Sequence, residues 1–496
     1  MNIDEWISDL RYRSYDDWDD IYIQELTKTV ARSTWRLDYH IQPPTGLLND
    51  PNGFSYFNGR WHLFYQYFPF GPVHGLKSWY HLSSANLVDW RDEGFGLLPD
   101  SAYDSHGVYS GTALPIDDQL LLAYTGNVRG ENWERLSYQM GAWMDQDNQV
   151  TKIEPPLIAA PPAGYTQHFR DPQVIRYGEG YLLLIGAQTD KEEGKVLVYQ
   201  SASISDWQFL GELAFTDDSM GFMIECPNLI FIDQKPVLIF CPQGMPKDKL
   251  PYQNIYPNTV VVGDAFDLEK VTLTNPQALQ NLDDGFDAYA TQVINAPDGR
   301  VLSVGWAGLP ELVYPTDNEG WAHCLTLVHE LSLKGNRLYQ QPITELKELR
   351  QQQTTLQGSF DSLQSLGGTT NNRYELKLTL SADSRGTLHL FADAQNQHSL
   401  ALHFDQQTGQ LILDRSRVSL PFAEEFGTTR TISVAAEQPL ELHIFADHSL
   451  CEIFVNGGHS VFTSRIFPQE GENQLFLEGQ GTYEGNYWEL RAALEA

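Results

Sequence analysis

Short apolar runs recur along this chain at a nearly constant interval. They are Leu63-Phe64-Tyr65, Leu121-Leu122-Ala123-Tyr124, Leu182-Leu183-Leu184-Ile185, Val237-Leu238-Ile239-Phe240 and Val301-Leu302-Ser303-Val304. Each has the length of a buried strand, and turn formers (Gly, Pro, Asn, Asp) break the chain on either side. A polar marker precedes each run by roughly a dozen residues: Asp50-Pro51, Ser110-Gly111, Asp171-Pro172, Glu225-Cys226-Pro227 and Asp287-Ala288-Tyr289, at gaps of 60, 61, 54 and 62. Ser84-Ala85-Asn86-Leu87-Val88-Asp89-Trp90 is echoed 117 residues later, about two periods, by Ser201-Ala202-Ser203-Ile204-Ser205-Asp206-Trp207. A unit of this length holds a four-stranded sheet with its turns, and five of them over residues 37–341 predict a five-bladed β-propeller. Inner strands of a propeller converge on its axis. The spacing therefore predicts that Asp50, Ser110, Asp171, Glu225 and Asp287 are neighbours in space.

The pattern changes at both ends. In residues 1–36, Trp6, Ile7, Leu10, Ile21, Ile23 and Leu26 fall at spacings that suit amphipathic helix, so a helical lead-in packed on the first blade is expected. Ile343, Leu346 and Leu349 share one side of a helical period, and residues 342–358 are expected to form a linker helix. Over 359–496 come alternating runs such as Tyr374-Glu375-Leu376-Lys377-Leu378-Thr379-Leu380 and Leu440-Glu441-Leu442-His443-Ile444-Phe445, with turns at Thr408-Gly409 and Asn456-Gly457-Gly458. Half-buried strands with short turns predict an antiparallel β-sandwich, making the whole chain all-β.

Composition narrows the partners. The chain has 496 residues, 42% hydrophobic, and a formal charge of −33 from 65 acidic and 32 basic residues. A surface of that sign repels nucleic acid and anionic membrane. The four cysteines, Cys226, Cys241, Cys324 and Cys451, lack the spacing of a disulfide framework or a zinc site, and free thiols are expected. The start of the chain lacks a signal-peptide pattern, and no apolar run has the length of a membrane span. A cytoplasmic protein is expected, working as a monomer or homodimer on a small molecule, without metal or cofactor. His62, His74 and His81 lack ligand spacing and are expected to pack or to lie in loops.

Clustered carboxylates at the end of a channel suit glycoside hydrolysis. One must donate a proton to the leaving oxygen while another is ionised to attack or to activate water. They could also serve as oxygen ligands for Ca²⁺, or hold a sugar without turnover. Leu48-Asn49-Asp50-Pro51-Asn52-Gly53, Phe64-Tyr65-Gln66-Tyr67, Phe169-Arg170-Asp171-Pro172, Glu225-Cys226-Pro227-Asn228 and Gly320-Trp321-Ala322-His323-Cys324, taken as an ordered set, resemble glycoside hydrolase family 32, the β-fructofuranosidases. The resemblance runs from about Tyr39 to the C-terminus.

That resemblance implies roles. Asp50 matches the nucleophile, Glu225 the acid/base, and Asp171 the carboxylate that stabilises the transition state. Asn49, Gln66, Trp79, Tyr109, Ser110, Arg170 and Trp306 are the implied substrate-binding residues, and Asp287 joins them through its phase. The implied reaction is retaining hydrolysis of the β-fructofuranosyl bond of sucrose 6-phosphate or sucrose. Action on short fructans, an inverting pentosidase, and a non-catalytic sugar-binding propeller are the alternatives. Leu47, Phe68, Tyr80 and Val328-His329 depart from the family pattern, and the first three are expected to line or border the pocket. A phosphate needs a local basic group in so acidic a chain, and Lys77, Arg129 and Arg135 lie near pocket motifs.

Overall fold

The computed structural model describes residue 3 and residues 5–494. Five sheets built mainly of four antiparallel strands make a five-bladed β-propeller. The innermost strands are Gly46–Phe57, Val108–Ile116, Tyr165–Tyr177, Met223–Ile232 and Tyr289–Asn295. The apolar runs found in the sequence are the second strands, and Leu121, Leu122, Leu182, Leu183, Leu184, Ile185, Val237, Leu238 and Ile239 are wholly buried. Such runs are apolar on both faces because each blade is packed between two others. Each of these large aliphatic side chains contributes about 1.5–3 kcal/mol by leaving water.

Every innermost strand slips register within one residue of the same place. The extra residues are Asn49-Asp50, Tyr109-Ser110, Asp171-Pro172, Cys226-Pro227 and Ala290-Thr291. Asp171, Cys226 and Ala290 have φ of +68°, +49° and +48°, in the left-handed region that non-glycine residues seldom enter. A bulge bends its strand and re-aims its side chains. Here it turns polar groups into the end of the channel.

Side-chain hydrogen bonds tie each blade to the next just past the bulge. Asn52 Oδ1 accepts from Gly111 N (3.0 Å), and Thr112 Oγ1 donates to Pro172 O (3.1 Å). Gln173 both donates to Leu229 O (3.1 Å) and accepts from Leu229 N (2.7 Å), and Asn228 Oδ1 accepts from Val293 N (3.3 Å). Gln292 closes the ring by accepting from Phe54 N (2.7 Å) and donating to Gly111 O (2.8 Å). Inner strands of different blades share no ladder, so these side chains satisfy backbone groups that would otherwise be buried unpaired. Trp321–Ala322 adds a parallel strand beside Gly46-Leu47 and completes the circle.

The N-terminal segment forms the helices Ser8–Arg11 and Asp20–Val30, and no helix among the described residues is long and apolar enough to cross a membrane. Trp6, Leu10, Trp18 and Ile23 pack on Phe68, Phe70 and Leu76 of the first blade. Ile7 and Ile21 instead face solvent, Ile21 being 68% exposed. The expected linker helix over 342–358 is corrected: Thr344–Leu349 is a single 3₁₀ stretch and Arg350–Phe360 is a strand. That strand pairs with Gln474–Leu490, which also pairs with Arg373–Leu380, Gln364–Gly368 and Arg385–Ala392. One 17-residue strand thus runs through both sheets of a nearly closed C-terminal β-sandwich.

Polar contacts join the two domains. His40 lies between two buried carboxylates, Nδ1 to Asp447 at 2.9 Å and Nε2 to Glu452 at 3.0 Å. His329, one of the departures from the family pattern, meets Glu452 at 2.7 Å, so its difference belongs to this interface.

Candidate active site

The bulges bring two sets of residues to the end of the channel. Asn49, Tyr109, Arg170, Glu225 and Tyr289 hold one phase, and Asp50, Ser110, Asp171, Cys226 and Ala290 the next. Glu225 therefore sits one residue ahead of Asp50 and Asp171 in phase. Asp287 is three residues ahead of Ala290 and belongs to neither set.

Asp50 anchors a buried polar chain. Its Oδ2 accepts from Ser110 Oγ (2.5 Å) and its Oδ1 from Asn49 Nδ2 (3.2 Å). Gln66 donates to Ser110 Oγ (2.9 Å) and accepts from Asn49 Nδ2 (2.5 Å), and Lys77 Nζ donates to Asn49 Oδ1 (2.5 Å). Burial raises the Asp50 carboxyl above its ordinary range; the Ser110 hydrogen bond opposes this, and the charge of Glu225 adds to it. Lys77 is only 3% exposed, and burial lowers it to about 7 against the pull of Asp50.

Asp171 faces the same centre. Its Oδ2 accepts from Cys226 N at 3.0 Å, and Cys226 Sγ lies 3.6 Å from Oδ2 of both Asp171 and Asp50. Burial pushes Asp171 up to about 7; Arg170 opposes the shift, while the charges of Glu225 and Asp50 favour it. Burial and the same carboxylates keep Cys226 a neutral thiol that fits between two acids.

Glu225 has a different setting, with 19% of its side chain open to solvent. Oε1 accepts from Arg170 Nε (3.0 Å) and Nη2 (2.8 Å), and Oε2 accepts from Gln243 Nε2 (2.9 Å) and Tyr289 Oη (2.8 Å). The site thus holds one buried carboxyl, Asp171, and two partly exposed ones, Asp50 and Glu225, the second held by four donors.

The structure brings Asn49, Gln66, Ser110 and Arg170 onto these carboxylates. Tyr109 stands beside them, its ring 5.8 Å from the Arg135 guanidinium. Trp306 packs edge-on against Tyr289 at 6.0 Å. Two expectations are corrected. Trp79 is fully buried among Phe64, Leu97 and Tyr124 and supports the site only through its Nε1 bond to Tyr109 O (2.9 Å). Asp287 is fully buried and accepts from Tyr314 Oη (2.7 Å), Arg415 Nη1 (3.1 Å) and Arg465 N (2.8 Å), so it links the domains and does not face the site.

The expected pocket borders also move. Leu47 is buried, Phe68 lies under Trp6 and Trp18, and Tyr80 packs with Tyr65, Tyr67 and Phe95 while donating to Asp92. His62 and His81 pair with each other in the interior, as expected of packing residues. The sequence pattern does not mark Tyr289, Gln243 or Cys226 as site residues. Tyr289 and Cys226 lie within the marked stretches Glu225-Cys226-Pro227 and Asp287-Ala288-Tyr289, but the period does not resolve which residue of each faces the site.

This geometry can be set against known proteins. The model of the glycosyl hydrolases family 32 N-terminal domain matches residues 40–342, and that of the family 32 C-terminal domain matches residues 345–489. The chain belongs to glycosyl hydrolase family 32. A sucrose-6-phosphate hydrolase from Pediococcus pentosaceus is 50% identical over 98% of this chain and 97% of its own. The solved sucrose-6-phosphate hydrolase of Lactobacillus gasseri is 43% identical, with a TM-score of 0.96 over 99% of this chain and all of that one. A family 32 β-fructofuranosidase from Bombyx mori is 29% identical, with a TM-score of 0.83 over 97% of this chain and all of that one. The first family 32 match begins at residue 40, so the helical N-terminal segment lies outside it.

Proposed function

We propose that this protein is a retaining glycoside hydrolase that cleaves the β-fructofuranosyl bond of sucrose 6-phosphate, releasing fructose and glucose 6-phosphate, and that it also accepts sucrose. The observation that carries this reading is the meeting, at one end of the channel, of Asp50, partly exposed and aimed by Ser110 and Asn49, with Glu225, ringed by four donors. The names of the relatives support the phosphorylated substrate.

Asp50 attacks the anomeric carbon of the fructosyl unit as the bond to the leaving oxygen breaks. Glu225 gives that oxygen a proton. Positive charge gathers on the furanose ring in the transition state, and Asp50 and Asp171 stabilise it more than they stabilise the ground state. Water then attacks the same carbon, Glu225 takes its proton, and Asp50 leaves as carboxylate. Asn49, Gln66, Ser110, Arg170 and Asp171 hold the fructosyl hydroxyls, while Trp306 and Tyr109 supply apolar walls. The protein acts in the cytoplasm, as a monomer or homodimer, without nucleic acid or membrane.

The test is kcat/KM on sucrose 6-phosphate and sucrose side by side, with Asp50→Asn as control. We expect a preference for the phosphorylated sugar and a loss of about 10⁴-fold or more in the variant, the scale of removing a nucleophile. A wild-type enzyme that prefers sucrose would replace the substrate, and an active Asp50→Asn protein would overturn the mechanism.

A further inference from the structure

We propose that Arg129 and Arg135, closed over by Tyr12 of the N-terminal segment, form an anion subsite that takes the phosphate of the leaving-group sugar. The inference rests on the reading of the substrate as a phosphorylated disaccharide.

The two arginines are direct cross-strand partners at the turn end of the hairpin Gln119–Arg129 and Arg135–Met144. Like charges directly opposite one another are unfavourable. This chain has 65 carboxylates to neutralise 32 basic side chains, yet among the described residues neither arginine forms an ion pair. Arg129 Nε is buried with no hydrogen-bond partner, and Nη1 reaches Trp133 O only at 3.5 Å. The nearest acid in sequence, Glu134, caps Asn132 N at 2.9 Å instead. Two guanidinium groups held together without an anion are prepared for one. A phosphate dianion matches their paired N–H forks and cancels their repulsion.

Their position is on the acid/base side. Arg135 lies over Tyr109, which precedes Ser110 at the site, and its charge acts on that of Arg170, which grips Glu225. Glu225 protonates the leaving oxygen, so the leaving sugar extends past it toward these arginines. Tyr12 forms the far wall: its ring is 5.2 Å from Trp133, and Trp133 is 5.8 Å from the Arg129 guanidinium. Its hydroxyl feels the charge of both arginines. Lys77 does not compete for this role, because its ammonium is committed to Asn49 inside the fructosyl-side network.

The experiment measures the ratio of kcat/KM for sucrose 6-phosphate to that for sucrose in wild type, Arg129→Gln, Arg135→Gln, the double variant, and Arg135→Lys. A charge-assisted hydrogen bond to phosphate is worth about 10- to 100-fold, so the ratio should fall by that factor in each Gln variant and further in the double variant. Arg135→Lys should restore part of it, which a merely structural defect would not allow. A wild-type preference that survives in the double variant to within about threefold overturns the subsite and leaves the substrate reading intact. A wild type without preference overturns both. Inhibition of sucrose hydrolysis by glucose 6-phosphate relative to glucose gives an independent readout, and it should weaken in the double variant in proportion to the ratio.

Discussion

Arg170 reaches from the third blade to the fourth and donates twice to one oxygen of Glu225, from Nε at 3.0 Å and from Nη2 at 2.8 Å. Each residue immediately precedes a bulge, so the pair exists because two strands slip register at the same phase. The contact fixes the rotamer of Glu225 and sets an arginine beside the bond to be broken.

Replacing Arg170 by Lys tests that contact. A lysine cannot present two parallel N–H groups, and kcat/KM should fall by about 10²-fold with little change in thermal stability. Tyr289→Phe, which removes only the hydroxyl on the other oxygen of Glu225, should cost about tenfold in kcat. Steady-state kinetics with melting curves check both.

Asp171 is raised to about 7 in the fold against about 3.9 in an unfolded chain. A carboxyl raised in this way binds its proton more tightly when folded. Its contribution to stability is complete below the unfolded value and is lost as pH climbs through the folded one. Asp171→Asn has no charge to bury, and should melt higher than wild type at pH 8 by on the order of 2 kcal/mol, a gain that vanishes near pH 4. The same variant should lose most activity. Calorimetry across pH reads the first effect and an assay the second.

Asp287→Ala separates scaffold from sugar binding. It leaves Arg415, only 5% exposed, without its carboxylate at the domain junction. The expected cost is about 3–5 kcal/mol in denaturant unfolding, with KM for sucrose within about twofold of wild type on the folded enzyme. A large rise in KM at unchanged stability would return Asp287 to the site.

His40 carries a pH signature. Burial alone would lower its pKa, but Asp447 and Glu452 overrule this and raise it to about 9. The stabilisation is fully present below the unfolded value of about 6.5 and is lost as pH rises through 9. His40→Gln should therefore cost about 3 kcal/mol at pH 6, because it removes the positive charge between Asp447 and Glu452, and clearly less at pH 9.5. Urea midpoints at the two pH values decide it.

The propeller was legible because a blade is a local object. Its strands are neighbours in sequence, and the apolar runs at Leu182-Leu183-Leu184-Ile185 and its counterparts mark the second strand of each blade. Asp50, Ser110 and Asp171 were found at one phase for the same reason. Glu225 and Asp287 were placed on that phase by gaps of 54 and 62, whereas the bulges put Cys226 and Ala290 there, at gaps of 55 and 64. Loop lengths differ from blade to blade, so counting residues cannot resolve one position. The expected helix over 342–358 failed for another reason. Gln351, Gln352 and Gln353 carry no strand pattern, and their strand exists because Gln474–Leu490 pairs with it from far along the chain.

The sequence by itself determined the period, the class of both domains and the carboxylates the chemistry needs, because strand alternation and turn chemistry act over a few residues. Only the tertiary structure decided which residues share the site. It withdrew Trp79 into the core and Asp287 into the junction, brought Tyr289 and Cys226 in, and left Arg129 and Arg135 without an ion pair among the described residues. Those outcomes depend on register slips and on contacts between distant segments. No local pattern encodes them, because the free energy of burying a polar group is set by what the rest of the chain places around it.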